Sequence, residues 1–220
     1  MRNIKRIILL IAFLSTSLLA ITPKPIAKLS GKMTWVITET VKADFSTAIT
    51  LTFKYEGFYS NHSVDRGGMT YMGITRNCHP KWKGWKVIDK KGYLKWNEEV
   101  PELLPLVLEF YENKYWTSLK LNELSSQLIA NEIMDKVIHN GHQGGLRLVT
   151  RALNTINGSK LHTSWKMTEE IILALQQVDE REFMEAFNMH LKNRYYSIVN
   201  NNPSQKIFLK SWLTRINYIS

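Results

Sequence analysis

The chain has 220 residues, enough for one sizeable domain or two small ones, each with its own core. A hydrophobic content of 44% and a charged content of 22% exclude a disordered or low-complexity chain. The formal charge is +10, yet six basic residues (Arg2, Lys5, Arg6, Lys24, Lys28, Lys32) precede the first acid, Glu39, and without them it falls to +4. The rest is too mildly basic for a nucleic-acid binder, so no nucleic-acid partner is expected. It suits attraction to an anionic cell surface or wall.

Taken in chain order, the first element is a leader. After the basic residues 1–6, Ile7 to Ile21 (IILLIAFLSTSLLAI) is apolar except for Ser15, Thr16 and Ser17. This is the pattern of a signal peptide or a short signal anchor. Fifteen helical residues span roughly 22 Å, short of the ~30 Å hydrocarbon core. Ala20 offers a cleavage position, but Leu18 departs from the small-x-small rule, so cleavage and membrane anchoring through residues 7–21 both stay open. In either case the basic leader directs the remainder outward. The expected location is exported, in the periplasm or cell envelope. Cys78 is the single cysteine, so no intrachain disulfide forms, and a leftover thiol in an exported protein is expected to be buried.

Residues 22–40, with Pro23, Pro25 and Gly31, read as a linker. Two regions follow, 41–122 and 123–220. Ala43 to Tyr55 carries apolar residues at helical spacing, with Gly57 as the stop and Glu56 at the C-terminal end. Glycines and turn formers make Tyr59 to Tyr71 a short hairpin, and a helix is expected to resume at Thr75 as N-cap. Asp89-Lys-Lys-Gly92 signals a turn. Further helices are expected over Glu102–Trp116 (bent at Pro105), Leu124–His139 (capped from Asn122, Ser125 or Ser126), Gly144–Thr155, Thr168–Val178, Glu180–Val199 and Lys206–Tyr218. The fold class is therefore mainly α, an α+β bundle of helices with one small β-hairpin element and a hydrophobic N-terminal leader helix.

The chemistry concentrates between Tyr55 and Thr75, YEGFYSNHSVDRGGMTYMGIT. Glycosidic bonds break through a cationic transition state that needs a protonated acid on the leaving oxygen and stabilisation of the sugar. Two carboxyls in unlike surroundings supply both. A Glu56 at a helix C-terminus among Tyr55, Phe58 and Tyr59 favours its neutral form, whereas Asp65 in a polar turn stays ionised. Two acids in a loop are also ordinary solvated turn chemistry, and the spacing alone leaves both readings standing.

The stretch resembles glycoside hydrolase family 108, the N-acetylmuramidases, at Glu56, Gly57, Tyr59, Asp65, Gly67, Gly68, Thr70, Gly73, Ile74 and Thr75. Tyr115-Trp116, Leu121-Asn-Glu-Leu124, Asp135, Gly141, Arg151-Ala-Leu-Asn154 and Phe208 to Arg215 are similar to that family's predicted peptidoglycan-binding segment. The resemblance spans about residues 43–220. It implies a lysozyme-like fold, peptidoglycan glycan strands as substrate and cleavage between N-acetylmuramic acid and N-acetylglucosamine, without cofactor or metal. It carries the catalytic acid to Glu56. By analogy with phage-type lysozymes, Asp65 stabilises the cation or activates water, and Thr70 orients that water. Phe58, Tyr59, Gly68, Tyr71 and Thr75 are the substrate-binding candidates. The sequence departs from the family at Phe58 (for glycine), His62-Ser63 (for Asp-Pro), Tyr71 and His139 (for Asn), and it lacks a glycine-proline loop near Gly158 to Thr168.

Two other functions fit: a lytic transglycosylase, in which the sugar's own hydroxyl attacks, and a wall-binding module without activity. His139 with His142, and His62 with His79, lack the partners of a metal motif, so no metal is expected. Arg147, Arg151, Arg194 and Arg215 are expected to hold carboxylates or face solvent. Trp82, Trp85 and Trp96 are expected to pack in the core rather than to form a sugar platform.

Overall fold

The computed structural model describes residues 20–25, 35–53, 57–61, 68–158, 160–163 and 165–216. Most of the expected leader lies outside them, as do Tyr55, Glu56, His62, Asp65 and Gly67. Among the described residues no helix is long and apolar enough to cross a membrane.

The stretch expected as a linker carries a two-stranded antiparallel ladder. Strand β1 (Ala20–Pro25) pairs with β2 (Trp35–Thr40), from Ala20 opposite Thr40 to Pro25 opposite Trp35. Prolines are tolerated in edge strands, and both strands of a two-stranded ribbon are edges.

The described chain divides into two compact units, one from 45–118 and one from 20–25, 35–44 and 119–216. The first begins with α1 (Phe45–Phe53), which buries Ala48, Ile49, Thr52 and Phe53 at the expected helical spacing. Its threonines serve the helix: Thr50 and Thr52 donate to the carbonyls of Ser46 and Ala48. Strands β3 (Tyr59–Ser60), β4 (Thr70–Tyr71) and β5 (Ile74–Thr75) then form a three-stranded antiparallel meander.

Helix α2 (Gly84–Lys91) occupies the place expected for a turn. The Asp89-Lys-Lys-Gly92 signal is its last turn plus its cap, with Gly92 at φ 80° and its N–H on the Ile88 carbonyl. Pro101–Leu103 is a 3-10 turn leading into α3 (Leu104–Tyr111), which widens into a π turn over Glu112–Thr117. Pro105 lies in the first turn of α3, where no N–H is needed, so it does not kink the helix as expected.

Beyond the β1–β2 ladder, the second unit is helical. Helix α4 (Gln127–Asn157) starts on Ser126, whose hydroxyl accepts the Ile129 N–H at 3.0 Å. Gly141, at φ 72° and ψ 162°, breaks it into arms 127–140 and 142–157, the glycine-rich break expected from the sequence. Beyond that break Gly145 lies so close to Val137 that a Cβ there would sit 2.8 Å from the Val137 Cα. Helix α5 (Glu169–Gln177) is capped by Thr168, and α6 (Glu180–Asn201) by Asp179. Helix α7 (Lys206–Ile216) follows a 3-10 turn at Pro203–Gln205. Helix α6 packs against both α4 and α7.

Within this helical core, α4 buries three charged residues. Glu132 and Lys136 are 0% exposed, and Asp135 is nearly so. Lys136 Nζ donates to Asp135 Oδ2 at 2.8 Å, and Arg215 Nη2 donates to Asp135 Oδ1 at 2.8 Å. Burial pushes the Asp135 carboxyl up, but Lys136 and Arg215 outweigh it and take it down to about 2. Glu132 lies 3.1 Å from Lys136 Nζ, an ion-pair distance, yet neither of its oxygens has hydrogen-bond geometry to a partner among the described residues. Burial, only partly offset by Lys136, pushes it up to about 7.

Candidate active site

The frame of the motif is set by register. Tyr59 stands opposite Tyr71 and Ser60 opposite Thr70, so the chain leaving Glu56 is zipped to the chain that follows Asp65. Thr70 in turn faces Thr75, and Tyr71 faces Ile74, across a two-residue turn at Met72 (φ 44°) and Gly73 (φ 77°). Consecutive left-handed residues are what a tight hairpin of matching twist demands, and glycine makes the second costless. The Met72 N–H donates to the Phe58 carbonyl at 2.9 Å, and the Arg76 N–H to Met69 at 2.7 Å.

Aromatic hydroxyls hold this small sheet from behind. Tyr71 is 1% exposed. Its hydroxyl accepts the Val100 N–H at 2.9 Å and faces the Val100 carbonyl at 3.2 Å, while burial pushes its pKa up to about 12. Tyr111 donates to the Met72 carbonyl at 2.8 Å. Trp82 stacks on Tyr71 with centroids 6.3 Å apart, and Trp82 and Trp85 donate their indole N–H groups to Leu106 and His79 carbonyls. In front, Arg76 forms a two-pronged pair with Asp89 of α2 (2.6 and 2.8 Å), which holds the Asp89 carboxyl below its usual range.

Each sequence candidate can now be placed. Glu56 and Asp65 lie outside the described residues. Thr70 is half-buried, and its hydroxyl donates to the Gly68 carbonyl at 3.0 Å. That directs Thr70 along the backbone towards Gly68, whose φ is 66° and where a Cβ would stand 3.1 Å from the Asn77 amide. Tyr59 and Tyr71 are buried, and Phe58 is half-buried with its ring 6.4 Å from Tyr71. Thr75 is a half-buried β5 residue and caps no helix, because the turn at Met72 and Gly73 folds the chain back before a helix can start. Cys78 is exposed, contrary to the burial expected of it. Trp82 and Trp85 are buried as expected, whereas Trp96 is 75% exposed.

A groove of about 340 Å³ lies elsewhere on this unit, lined by Lys81, Trp82, Leu106, Glu109, Phe110 and Lys114 among others. Among the described residues, none between Gly57 and His79 lines it. His79 sits near it, with Nδ1 3.2 Å from Lys114 Nζ. Burial lowers the pKa of both, and the facing lysine lowers that of His79 further.

In the helical unit the later motif residues act within the fold. Asn154 donates to and accepts from the Leu161 backbone at 3.1 and 2.9 Å. Arg215 holds Asp135, and Arg194 donates to the Asn140 amide oxygen rather than to a carboxylate. His139 faces the Asp135 carbonyl. The deep charged cluster escaped sequence reading because Glu132 and Lys136, four residues apart, look like any solvated helix pair.

Residues 49–141 match the model of the family Glycosyl hydrolase 108, a span that contains Glu56, Asp65 and Thr70 and leaves residues 142–220 outside it. No curated protein matches the chain. The solved structure of Brucella abortus SagA is similar in fold, with a TM-score of 0.59 and 19% identity over 80% of this chain and 90% of that one. The family match supports glycoside hydrolase activity in general, and the likeness in fold extends past its limits.

Proposed function

We propose that the protein is a peptidoglycan hydrolase, an N-acetylmuramidase that cleaves the β-1,4 bond between N-acetylmuramic acid and N-acetylglucosamine. Glu56 protonates the leaving oxygen. Asp65 stabilises the sugar cation or activates the attacking water, and the Thr70 hydroxyl orients that water. The carrying observation is the register that pairs Ser60 with Thr70, because it ties the segment after Glu56 to the one after Asp65 within a family match covering both acids. Phe58, Gly68 and Thr75 border the same small sheet and contribute to substrate binding. The basic, then apolar, residues 1–21 support a reading in which this activity acts outside the cytoplasm, against the cell wall.

The test is purified wild type and Glu56→Gln on isolated peptidoglycan, with products read by mass spectrometry. Wild type is expected to release muropeptides with reducing ends, and Glu56→Gln to lose at least about a hundredfold of that rate. Equal release by the two proteins overturns the assignment of the acid. Products of 1,6-anhydro type overturn hydrolysis in favour of transglycosylation.

A further inference from the structure

Within the hairpin unit, the loop between Gly92 and Val100 carries two rings out into water: Tyr93 is 90% exposed and Trp96 75%. An indole so exposed is poorly used by the fold itself, since a buried tryptophan contributes far more apolar area to a core. The loop is nevertheless firmly built. Leu94 and Val100 on either side of Trp96 are buried, at 4% and 1%. The turn is closed twice, by the Glu98 N–H on the Lys95 carbonyl at 3.0 Å and by the Lys95 N–H on Glu98 Oε2 at 2.8 Å.

Asn97 then fastens this turn to the motif. It takes the left-handed conformation at φ 58°, which asparagine tolerates better than most residues. Its N–H donates to the Tyr59 carbonyl at 2.7 Å, and its Oδ1 accepts the Phe58 N–H at 2.9 Å. The same Oδ1 would stand 3.1 Å from a Cβ at Gly57, the residue bonded to Glu56. Trp96 is thus fixed, through its chain neighbour, to the strand that leaves the candidate acid.

We propose that Trp96, supported by Tyr93, is a stacking platform for an N-acetylated sugar of the glycan strand, adjoining the bond that is cut. The idea rests on the proposed glycan substrate and adds a binding residue to it. A pyranose ring presents a face of C–H groups to an aromatic ring, and a platform held rigid before binding loses little entropy when the sugar arrives. Glu98, two residues along the chain from Trp96, is held in the turn by the Lys95 N–H.

The experiment uses the full chain carrying Glu56→Gln, so that binding is read without turnover, and a β-1,4-linked hexamer of N-acetylglucosamine as probe. Titration calorimetry and tryptophan emission are recorded. Saturable binding with an emission change is expected; adding Trp96→Ala should weaken it about tenfold and remove most of the emission change. Trp96→Phe is expected to keep binding within about threefold, and Tyr93→Ala to lose less than Trp96→Ala. With Glu56 intact, Trp96→Ala should raise KM on peptidoglycan and leave kcat nearly unchanged. Unaltered hexamer affinity in the Trp96→Ala protein, or no hexamer binding by the Glu56→Gln parent, overturns the proposal. Failure of the acid assignment is read separately, as product release by Glu56→Gln, and leaves the calorimetric comparison standing.

Discussion

In the hairpin unit the buried polar groups are neutral, and each is matched. Tyr71 serves both backbone groups of Val100, and Tyr111 serves Met72. Among the described residues only the helical unit also buries charges, Glu132, Asp135 and Lys136, beside the neutral Asn131 and Thr150, and the matching of those charges is uneven. Asp135 is held by Lys136 and Arg215, whereas Glu132 has only an ion-pair distance to Lys136 and no hydrogen-bond partner among the described residues. The difference matters because neutral pairs lose little to desolvation, while each buried charge depends on its counter-charge. The frame of the candidate site should therefore be insensitive to pH, and the helical unit should carry the pH dependence of stability.

The largest expected effect is at Asp135. Asp135→Ala removes the carboxylate that both Lys136 and Arg215 hold at 2.8 Å and should destabilise the protein by about 3–5 kcal/mol in urea denaturation. Adding Lys136→Met removes one of the two cations that Asp135 balanced and should recover part of that loss. A loss below about 1 kcal/mol in the single variant would erase the contrast between the two cores.

Next comes Tyr71→Phe, which leaves the Val100 N–H and carbonyl without their partner and should lower stability by about 1–3 kcal/mol. This loss should be the same from pH 5 to about 9, because Tyr71, pushed up to about 12, stays protonated throughout. A loss that changes steeply across that range would contradict a neutral frame.

The smallest effect, and the one that sharpens the contrast most, is Glu132→Gln. The folded pKa of Glu132 is raised from 4.5 to about 7, so the folded state retains a proton that the unfolded state gives up. Its stabilising share is whole below pH 4.5 and drains away as pH rises to about 7. Asp135 works in the opposite sense: its share is present above pH 3.8 and is lost as pH falls towards about 2. Thermal midpoints of the wild type should thus decline between pH 4.5 and about 7, and Glu132→Gln should flatten that decline. The same slope in both proteins would remove Glu132 from the account.

Much of this was legible in the sequence wherever a local signal settled a local structure. Ser126 and Thr168 cap helices, Gly141 breaks one, and the apolar spacing of Ile49 and Phe53 gives α1 its buried face. The errors came where one signal serves two structures. Asp89-Lys-Lys-Gly92 reads as a turn, yet a helix ended by glycine carries the same letters. Thr75 reads as a cap until the Met72–Gly73 turn makes it a strand residue. Trp96 reads as core because tryptophans are mostly buried, yet it is 75% exposed in a turn that Asn97 fastens to Phe58 and Tyr59. The motif between Glu56 and Thr75 was expected to carry the chemistry. Its supports, Val100 and Tyr111, lie 25 residues or more further along the chain, and no local pattern announces them.

The bend at Gly141 has a consequence for how the helical unit assembles. Gly145 meets Val137 across only eight residues of chain, at a distance that leaves no room for a side chain. Closing so short a loop forfeits little chain entropy, so this contact is open to the polypeptide before any distant pairing has formed. The charged cluster depends on a much longer closure, since Arg215 must arrive from 80 residues away. The unit accordingly carries a short-range and a long-range contact on one helix: the first gathers the α4 arms, and the second neutralises what they have buried.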